Sequence, residues 1–131
     1  MSGSVETTRP ATETTLAVVT RFENGFNTRD VDALMADMTE DCVFEHVAPA
    51  DAGFGRHEGA DAVRAVWASM DEHFPGYTID IVEIFAAGDK ACCRWVMRWK
   101  GQDGGEAVLR GADVITVRDG RIAEKLTYGT M

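Results

Sequence analysis

Residues 107–117 read Ala-Val-Leu-Arg-Gly-Ala-Asp-Val-Ile-Thr-Val, a stretch typical of a buried strand with one misplaced acid. Because side chains alternate between the faces of a strand, Asp113 shares a face with Leu109 and Ile115. An ionised carboxylate among apolar neighbours is costly unless it is paired or becomes protonated. The position therefore favours a general acid, a general base or an oxyanion donor. The alternative is a structural aspartate, satisfied by backbone amides or by an arginine such as Arg94.

Composition limits the classes of function. With 131 residues and 45% hydrophobic side chains, the chain predicts one domain with a real core. A net charge of -9 repels nucleic acid and anionic membrane surfaces, so we expect neither as a partner. No stretch has the length of a membrane span and no export signal is evident, so we expect a cytoplasmic protein.

Cysteine and histidine spacing argues against a metal site. The three cysteines are Cys42, Cys92 and Cys93, an odd number that does not favour a disulfide framework. No Cys-x-x-Cys or His-x-x-x-His spacing occurs. We therefore expect no metal and no cofactor.

The N-terminal half predicts helices. Residues 1–12 are polar and are expected to form a flexible tail, which leaves 13–131 as the single domain. From Thr14 the apolar spacing is helical, and Asp30 is a candidate N-cap for a second helix. A third helix is predicted to begin near Gly59 and to end at Pro75.

The remaining chain predicts sheet. A first strand is expected over 42–47, followed by a loop over 48–58. Four further runs, 77–87, 90–100, 106–118 and 121–128, are joined by turn signals that include Gly88-Asp89 and Asp119-Gly120. They predict an antiparallel meander, and the whole an α+β fold with helices covering one face. Apolar residues on the other face, such as Val96 and Val114, predict a homodimer through that outer face.

This order of motifs resembles the SnoaL-like and ketosteroid isomerase-like branch of the nuclear transport factor 2 (NTF2-like) superfamily. The resemblance spans about residues 14–128 and is carried by 110–114, which leads through 119–122 into the last strand, and by 27–34, 40–44 and 59–63. It implies an NTF2-like cone, in which three N-terminal helices pack on a strongly curved, mostly antiparallel sheet. This architecture hosts isomerases, cyclases, epoxide hydrolases, dehydratases and non-catalytic modules.

The resemblance also implies two catalytic residues. Asp113 matches the protonated aspartate in the oxyanion hole of the isomerases, and His46 matches their proton-shuttling aspartate. A histidine with an ordinary pKa near 6.5 is a capable base at neutral pH. The isomerases' oxyanion-hole tyrosine would lie at Phe22, which has no phenol. The epoxide hydrolase pattern matches only at Arg94.

Strand phase and resemblance together predict a cavity for a small hydrophobic ligand. The expected lining residues, besides Asp113, are Phe22, Phe26, Phe44, Val63, Trp67, Cys93, Trp95, Met97, Leu109 and Gly111. Two inward-facing sets are possible on the last strand: hydrophobicity favours burial of Ile122, Leu126 and Tyr128, whereas the resemblance implies that Lys125 and Thr127 point inward.

Two functions remain open at the level of sequence. The first is cofactor-free acid/base chemistry at a carbon next to a carbonyl, in an isomerase, cyclase or dehydratase, with His46 as base and Asp113 as oxyanion partner, or with these roles exchanged. Trp67 could then donate from its indole N–H. The second is a binding or dimerising module without chemistry, in which Asp113 is structural.

Overall fold

The computed structural model describes residues 2–47 and 55–130, with side chains from residue 11 onward. In these ranges the helices are α1 (Ser2–Gly25), α2 (Val31–Ala36), α3 (Ala60–Ala68) and α4 (Met70–His73), with a 3₁₀ turn over Phe26–Thr28. The strands are β1 (Met38–Val47), β2 (Arg56–Glu58), β3 (Thr78–Ala87), β4 (Lys90–Lys100), β5 (Glu106–Arg118) and β6 (Arg121–Thr130).

The six strands form one curled, open sheet in the order β2-β1-β6-β5-β4-β3. Strands β3 to β6 form the predicted antiparallel meander, and only the β1–β6 pair is parallel. The α+β class and the cone architecture are thereby confirmed. Asp119 and Gly120 have φ of 53° and 76°, the pair of positive values that a tight two-residue hairpin needs.

The helices differ in detail from the prediction. Helix α1 begins at Ser2, well before the predicted start at Thr14. Asp30 caps α2 as expected, because its side chain accepts a hydrogen bond from the Ala33 amide. The predicted third helix is divided into α3 and α4 at Ser69, whose ψ of 0° departs from helical geometry.

The first strands also differ. Strand β1 begins at Met38 rather than at residue 42, and β2 occupies positions predicted as loop. The reason is long-range pairing: residues 43–45 of β1 align with 56–58 of β2. A three-residue strand of polar side chains carries no periodic signal of its own. The rest of the predicted loop, 48–54, lies outside the described residues.

The core lies between the helices and the concave face of the sheet. Helix α1 packs against β3, β4 and β6, while α3 packs against β1 and β2. Val19 and Phe22 of α1, and Phe26 at the start of the following 3₁₀ turn, are fully buried at the spacing that predicted the helix. The helices therefore close one side of a hollow whose floor is the sheet.

A register shift in β6 places two residues on the inner face of the sheet, although strict alternation would put them on opposite faces. Val117 pairs with Ile122, whereas Thr116 pairs with Glu124, so one residue is inserted between these pairs. As a result Ile122 and Lys125 are both buried.

The convex face of the sheet is partly apolar. Its exposed hydrophobic side chains are Val82, Phe85, Val114 and Tyr128, which are 42% to 57% accessible. The homodimer through this face stays a prediction.

In the described part of the chain, none of the helices combines the length and apolarity needed to cross a membrane. The His, Cys, Asp and Glu side chains of the same residues form no group of three or more that could hold a metal ion.

Candidate functional site

Four side chains from four neighbouring strands form a row across the concave face. Cys93 pairs with Asp113, Asp113 with Thr127, and Thr127 with His46. Directly paired positions carry their side chains on the same face of a sheet. We call this set of four the polar row. Because neighbouring strands are about 4.8 Å apart, His46 and Asp113 are separated by about 10 Å at the backbone.

Three members of the polar row, His46, Asp113 and Thr127, line a cavity of about 640 Å³. The lining is mostly apolar, and its polar or titratable members are Glu23, His46, His57, Ser69, His73, Asp113, Lys125 and Thr127. Six of the predicted apolar lining residues contribute to it: Phe26, Phe44, Trp67, Trp95, Met97 and Leu109.

The other predicted lining residues lie elsewhere. Phe22, Val63 and Cys93 are fully buried core residues outside the cavity lining. Gly111 does not line the cavity either: a Cβ there would meet the Trp95 ring at 2.4 Å. The glycine therefore makes room for an indole rather than for a ligand.

Asp113 is completely buried, and each of its carboxyl oxygens contacts a different side chain. Thr127 Oγ1 donates a 2.6 Å hydrogen bond to Asp113 Oδ1. Lys125 Nζ lies 3.4 Å from Asp113 Oδ2, an ion pair between two buried side chains. These are contacts that a carboxylate accepts, and no guanidinium takes part in them. Arg94 pairs instead with Glu83 on the convex face.

Lys125 is surrounded by aromatic rings. Its Nζ lies 4.9 Å to 5.0 Å from the ring centroids of Phe26, Phe44 and Trp67. A cation over aromatic faces gains about 0.5–2 kcal/mol per site, more when water is excluded. The cage and Asp113 together hold a charged amine at the floor of an apolar cavity.

Helix α1 adds a second buried acid, Glu23, which is 1% exposed. Burial raises the pKa of the Glu23 carboxyl well above its usual range, and the nearby Asp113 charge raises it further, while Lys125 opposes the shift. The Glu23 carboxyl also hydrogen-bonds to Asp113 and to Cys93. The shift favours the protonated form of Glu23, and in that form the buried cluster of Glu23, Asp113 and Lys125 carries no net charge.

The Glu23–Asp113 contact depends on a proton carried by one of the two acids. Among the described residues, Glu23 Oε1 and Asp113 Oδ2 are buried and receive no hydrogen bond from an amide, hydroxyl or ammonium group. A proton on the Glu23 carboxyl is therefore the hydrogen that the two acids share. Without it, a buried acceptor that lacks a donor costs about 1–3 kcal/mol.

His46 is half-buried at the other end of the polar row. Burial lowers the pKa of its imidazole, the charge of Lys125 lowers it further, and Asp113 opposes the shift. His46 is therefore mainly neutral at pH 7, the form in which an imidazole accepts a proton. His57 stacks on Phe44 nearby, with ring centroids 6.0 Å apart.

The indole N–H of Trp67 is already engaged within the core. Its Nε1 donates to Met38 Sδ at 3.4 Å, inside the core. The expectation that Trp67 donates to a reacting group is therefore not supported by its geometry. Its ring instead forms one wall of the Lys125 cage.

Sequence reasoning overlooked Glu23, although a signal exists. Glu23 follows Val19 by four positions and precedes Phe26 by three, so it falls on the buried stripe of α1. The same criterion, an acid in an apolar phase, singled out Asp113. The sequence pattern does not decide the orientation of Lys125, because the register shift in β6 leaves no mark in that pattern.

A family model described as SnoaL-like domain matches residues 19–125. An NTF2-like protein of unknown function from Mesorhizobium loti is 36% identical, with 92% of this chain and 93% of that one covered and a TM-score of 0.73. A comparison with curated proteins finds no match.

Two more distant solved structures share the architecture. An LEH-like epoxide hydrolase of M. tuberculosis is 23% identical over 91% of this chain and 84% of that one, with a TM-score of 0.74. A putative SnoaL-like polyketide cyclase from Jannaschia sp. CCS1 is 17% identical over 92% and 88%, with a TM-score of 0.77. At these identities the likeness concerns the fold alone.

Proposed function

The chain belongs to the SnoaL-like domain family, and from that premise we propose that it catalyses cofactor-free proton transfer at a carbon next to a carbonyl of a small hydrophobic substrate. One observation carries the proposal. A neutral imidazole, His46, and a buried ion pair, Asp113–Lys125, border one largely apolar cavity with Thr127 between them. A base and an anion-stabilising group that face one cavity are the two elements that enolate chemistry requires.

In this proposal His46 removes the proton from the α-carbon. Negative charge then develops on the carbonyl oxygen, and the Asp113–Lys125 pair stabilises it. Lys125 supplies the hydrogens, while Asp113 holds Lys125 in place and balances its charge between turnovers. A preorganised donor in a site that excludes water contributes about 3–4 kcal/mol to lowering such a barrier. Isomerisation, ring closure and dehydration all begin with this step.

Hydrogen–deuterium exchange tests the step without knowledge of the natural substrate. The probe is 2-tetralone, a bicyclic ketone with acidic α-protons, and loss of its α-proton signals in deuterated buffer is followed by NMR. We expect the wild-type protein to accelerate exchange above the buffer rate. His46→Gln and Asp113→Asn should each lower the enzymatic rate by about a hundredfold or more. Glu72→Gln, at an exposed position in α4, serves as the matched control and should exchange like the wild type.

Binding of each ketone is measured separately by NMR titration of the protein, so that absence of exchange can be distinguished from absence of binding. If 2-tetralone, cyclohexanone and 2-indanone all bind the cavity and none exchanges above the buffer rate, proton transfer is rejected. Equal rates in wild type, His46→Gln and Asp113→Asn would reject the assigned residues.

The second candidate is a non-catalytic ligand-binding or dimerising module. The complete burial of Asp113 and the engagement of its oxygens by Thr127 and Lys125 favour it, since a structural acid needs such partners. Binding without exchange in the experiment above is the result that this candidate expects.

A homodimer through the convex face is compatible with both candidates. The apolar side chains of Phe85 and Val114 are 57% and 42% exposed on that face. We expect a mass near twice the 14.3 kDa chain in light scattering. The double variant Phe85→Lys/Val114→Lys should be monomeric, whereas Leu16→Lys, at an exposed apolar position of α1, should remain dimeric. A monomeric wild type would overturn the proposed dimer.

A further inference from the structure

We propose that His57 forms a subsite for a carboxylate at the open end of the cavity, so that the substrate is an oxo acid: an apolar skeleton with a ketone at one end and a carboxylate at the other. The inference rests on the proposed function in one respect, namely that the ketone oxygen lies at Lys125. It adds a second recognition point on the same face of the sheet, two strands away.

The acids of the cavity lining are out of a ligand's reach. Glu23 and Asp113 are 1% and 0% exposed, so their carboxyls are sealed behind the surface of the cavity. No other acid among the described residues lines it. Toward the opening, His57 is half-buried and His73 is exposed, and both contribute to the lining. An anionic ligand group therefore meets imidazoles at this end and no accessible carboxylate.

His57 and Lys125 lie in a second cross-strand row, with Phe44 between them. Phe44 pairs with His57 on β2 and with Lys125 on β6, so the three side chains share the concave face. Two strand spacings separate the end members of this row, which is about 10 Å at the backbone. A ketone oxygen at Lys125 Nζ and a carboxylate at the His57 imidazole are therefore two points that one bicyclic molecule spans.

The Phe44 ring fixes the orientation of the His57 imidazole. The two rings are nearly parallel, at 11°, with centroids 6.0 Å apart. A stacked neighbour contacts the face of the imidazole and not the edge, which carries both nitrogens. An N–H on that edge donates to a carboxylate, and a hydrogen bond to an ionised acceptor is shorter and stronger than one between neutral groups.

The acids nearest to His57 along the strands point to the other face. Arg56 and Glu58 flank His57 in β2, and alternation places their side chains opposite to the imidazole. Arg56 pairs there with Glu58 at 2.7 Å and with Glu45 at 3.1 Å. Among the described residues, no acid forms an ion pair with His57, so its imidazole is available to a ligand.

The rest of the lining suits an apolar skeleton. Phe26, Trp95, Met97 and Leu109 supply walls without polar groups that face a ligand. A cavity of about 640 Å³ accommodates a bicyclic or larger ring system. The recognised molecule is thus apolar between its ketone and its carboxylate.

Three matched ketones test the inference: 6-carboxy-2-tetralone, 6-methyl-2-tetralone and protonated 6-(dimethylaminomethyl)-2-tetralone, with Kd from NMR titration of ¹⁵N-labelled protein at pH 7. Each carries the ketone of 2-tetralone and differs only in the group at the far end of the ring system. We expect the wild type to bind the carboxylate about fivefold or more tightly than the methyl compound. The ammonium probe should bind no better than the methyl compound.

Variants locate the carboxylate. His57→Phe keeps a ring that stacks on Phe44 but removes both nitrogens, so it should reduce the preference for the carboxylate to less than twofold, while the methyl compound binds at least as well as before. Arg121→Gln removes a full positive charge from an exposed position outside the cavity lining and should retain the preference. If His57→Phe does not fold, His57→Leu also lacks a donor and should give the same loss. In the wild type, the imidazole ¹⁵N signals of His57 should shift with the carboxylate and not with the methyl compound.

Equal affinity of the wild type for the carboxylate and the methyl compound would overturn the inference, as would tightest binding of the ammonium probe or binding of none of the three. A preference that survives in His57→Phe and His57→Leu would also overturn it, because the carboxylate would then be held elsewhere, for example at Lys125. These outcomes are independent of catalysis. Preference for the carboxylate without exchange of the α-protons of any ketone leaves the subsite standing and rejects the proposed function. Exchange without that preference does the reverse.

Discussion

Thr127 Oγ1 donates a 2.6 Å hydrogen bond to Asp113 Oδ1 across the β5–β6 pair, and both side chains are buried. Besides the contact with the Glu23 carboxyl, it is the one side-chain hydrogen bond that Asp113 accepts from the described residues. It joins the centre of the polar row and leaves the second oxygen to Lys125. Several consequences for stability and activity depend on this small cluster.

Thr127→Val should destabilise the fold by about 1–3 kcal/mol, because it leaves Asp113 Oδ1 buried without a donor. The free energy of unfolding is measured in urea. Thr127→Ser keeps the hydroxyl and should retain most of that stability. Equal losses in the valine and serine variants would mean that the methyl group, not the hydrogen bond, matters.

Lys125→Met should cost about 3–5 kcal/mol, since it leaves a buried carboxylate without its charge partner. The double variant Lys125→Met/Asp113→Asn removes both charges and should recover at least half of the loss. Lys90→Met, at an exposed lysine, is the control and should change the free energy of unfolding by less than about 0.5 kcal/mol. Additive losses in the double variant would contradict a coupled pair.

The raised pKa of Glu23 predicts a pH dependence of stability. In the unfolded chain this carboxyl has a pKa near 4.3, and folding raises it, so the folded state prefers the protonated acid. Its stabilising contribution is complete below about pH 4.3 and is lost as the pH rises through the raised folded value.

Glu23→Gln cannot titrate, so its free energy of unfolding relative to wild type should increase between pH 5 and pH 8. Urea unfolding at the two pH values measures the change. Glu13→Gln should follow the wild type at both. Parallel curves for wild type and Glu23→Gln would show that Glu23 carries no such linkage.

The lowered pKa of His46 predicts the pH range in which the rate of proton exchange increases. Because the base works in its neutral form, the rate with 2-tetralone should rise with pH to a plateau, and the midpoint of the rise should lie below the ordinary histidine pKa near 6.5. The pH–rate profile between pH 4.5 and 8 measures this limb. His46→Gln should abolish it. A midpoint above 6.5 would contradict a base in this environment.

Gly111→Ala should destabilise by about 1–3 kcal/mol, because the new methyl group would meet the Trp95 ring at 2.4 Å. Thermal unfolding measures the loss, and the indole should also change its fluorescence. Gly129→Ala is the matched control on the next strand, where the nearest atom is a flexible Leu109 methyl at 3.3 Å. Similar losses at both glycines would exclude a specific clash with Trp95.

The sequence alone determined the order of the main helices and of the antiparallel meander, and the presence of Asp113 on a buried face. Both follow from local rules: alternation places the acid among Leu109 and Ile115, and Asp119-Gly120 has the backbone freedom of a tight hairpin. Local rules operate over a few residues, so the chain reveals them directly.

Only the tertiary structure decided what surrounds that acid. The inserted residue in β6 turned Lys125 inward, and the docking of α1 on the sheet brought Glu23 to Asp113, although 90 positions of sequence separate them. Strand register and helix packing are set by contacts between distant segments, which no periodicity within a segment records. Asp113 could be identified from the sequence, but Glu23 and Lys125 become its neighbours only through the tertiary structure.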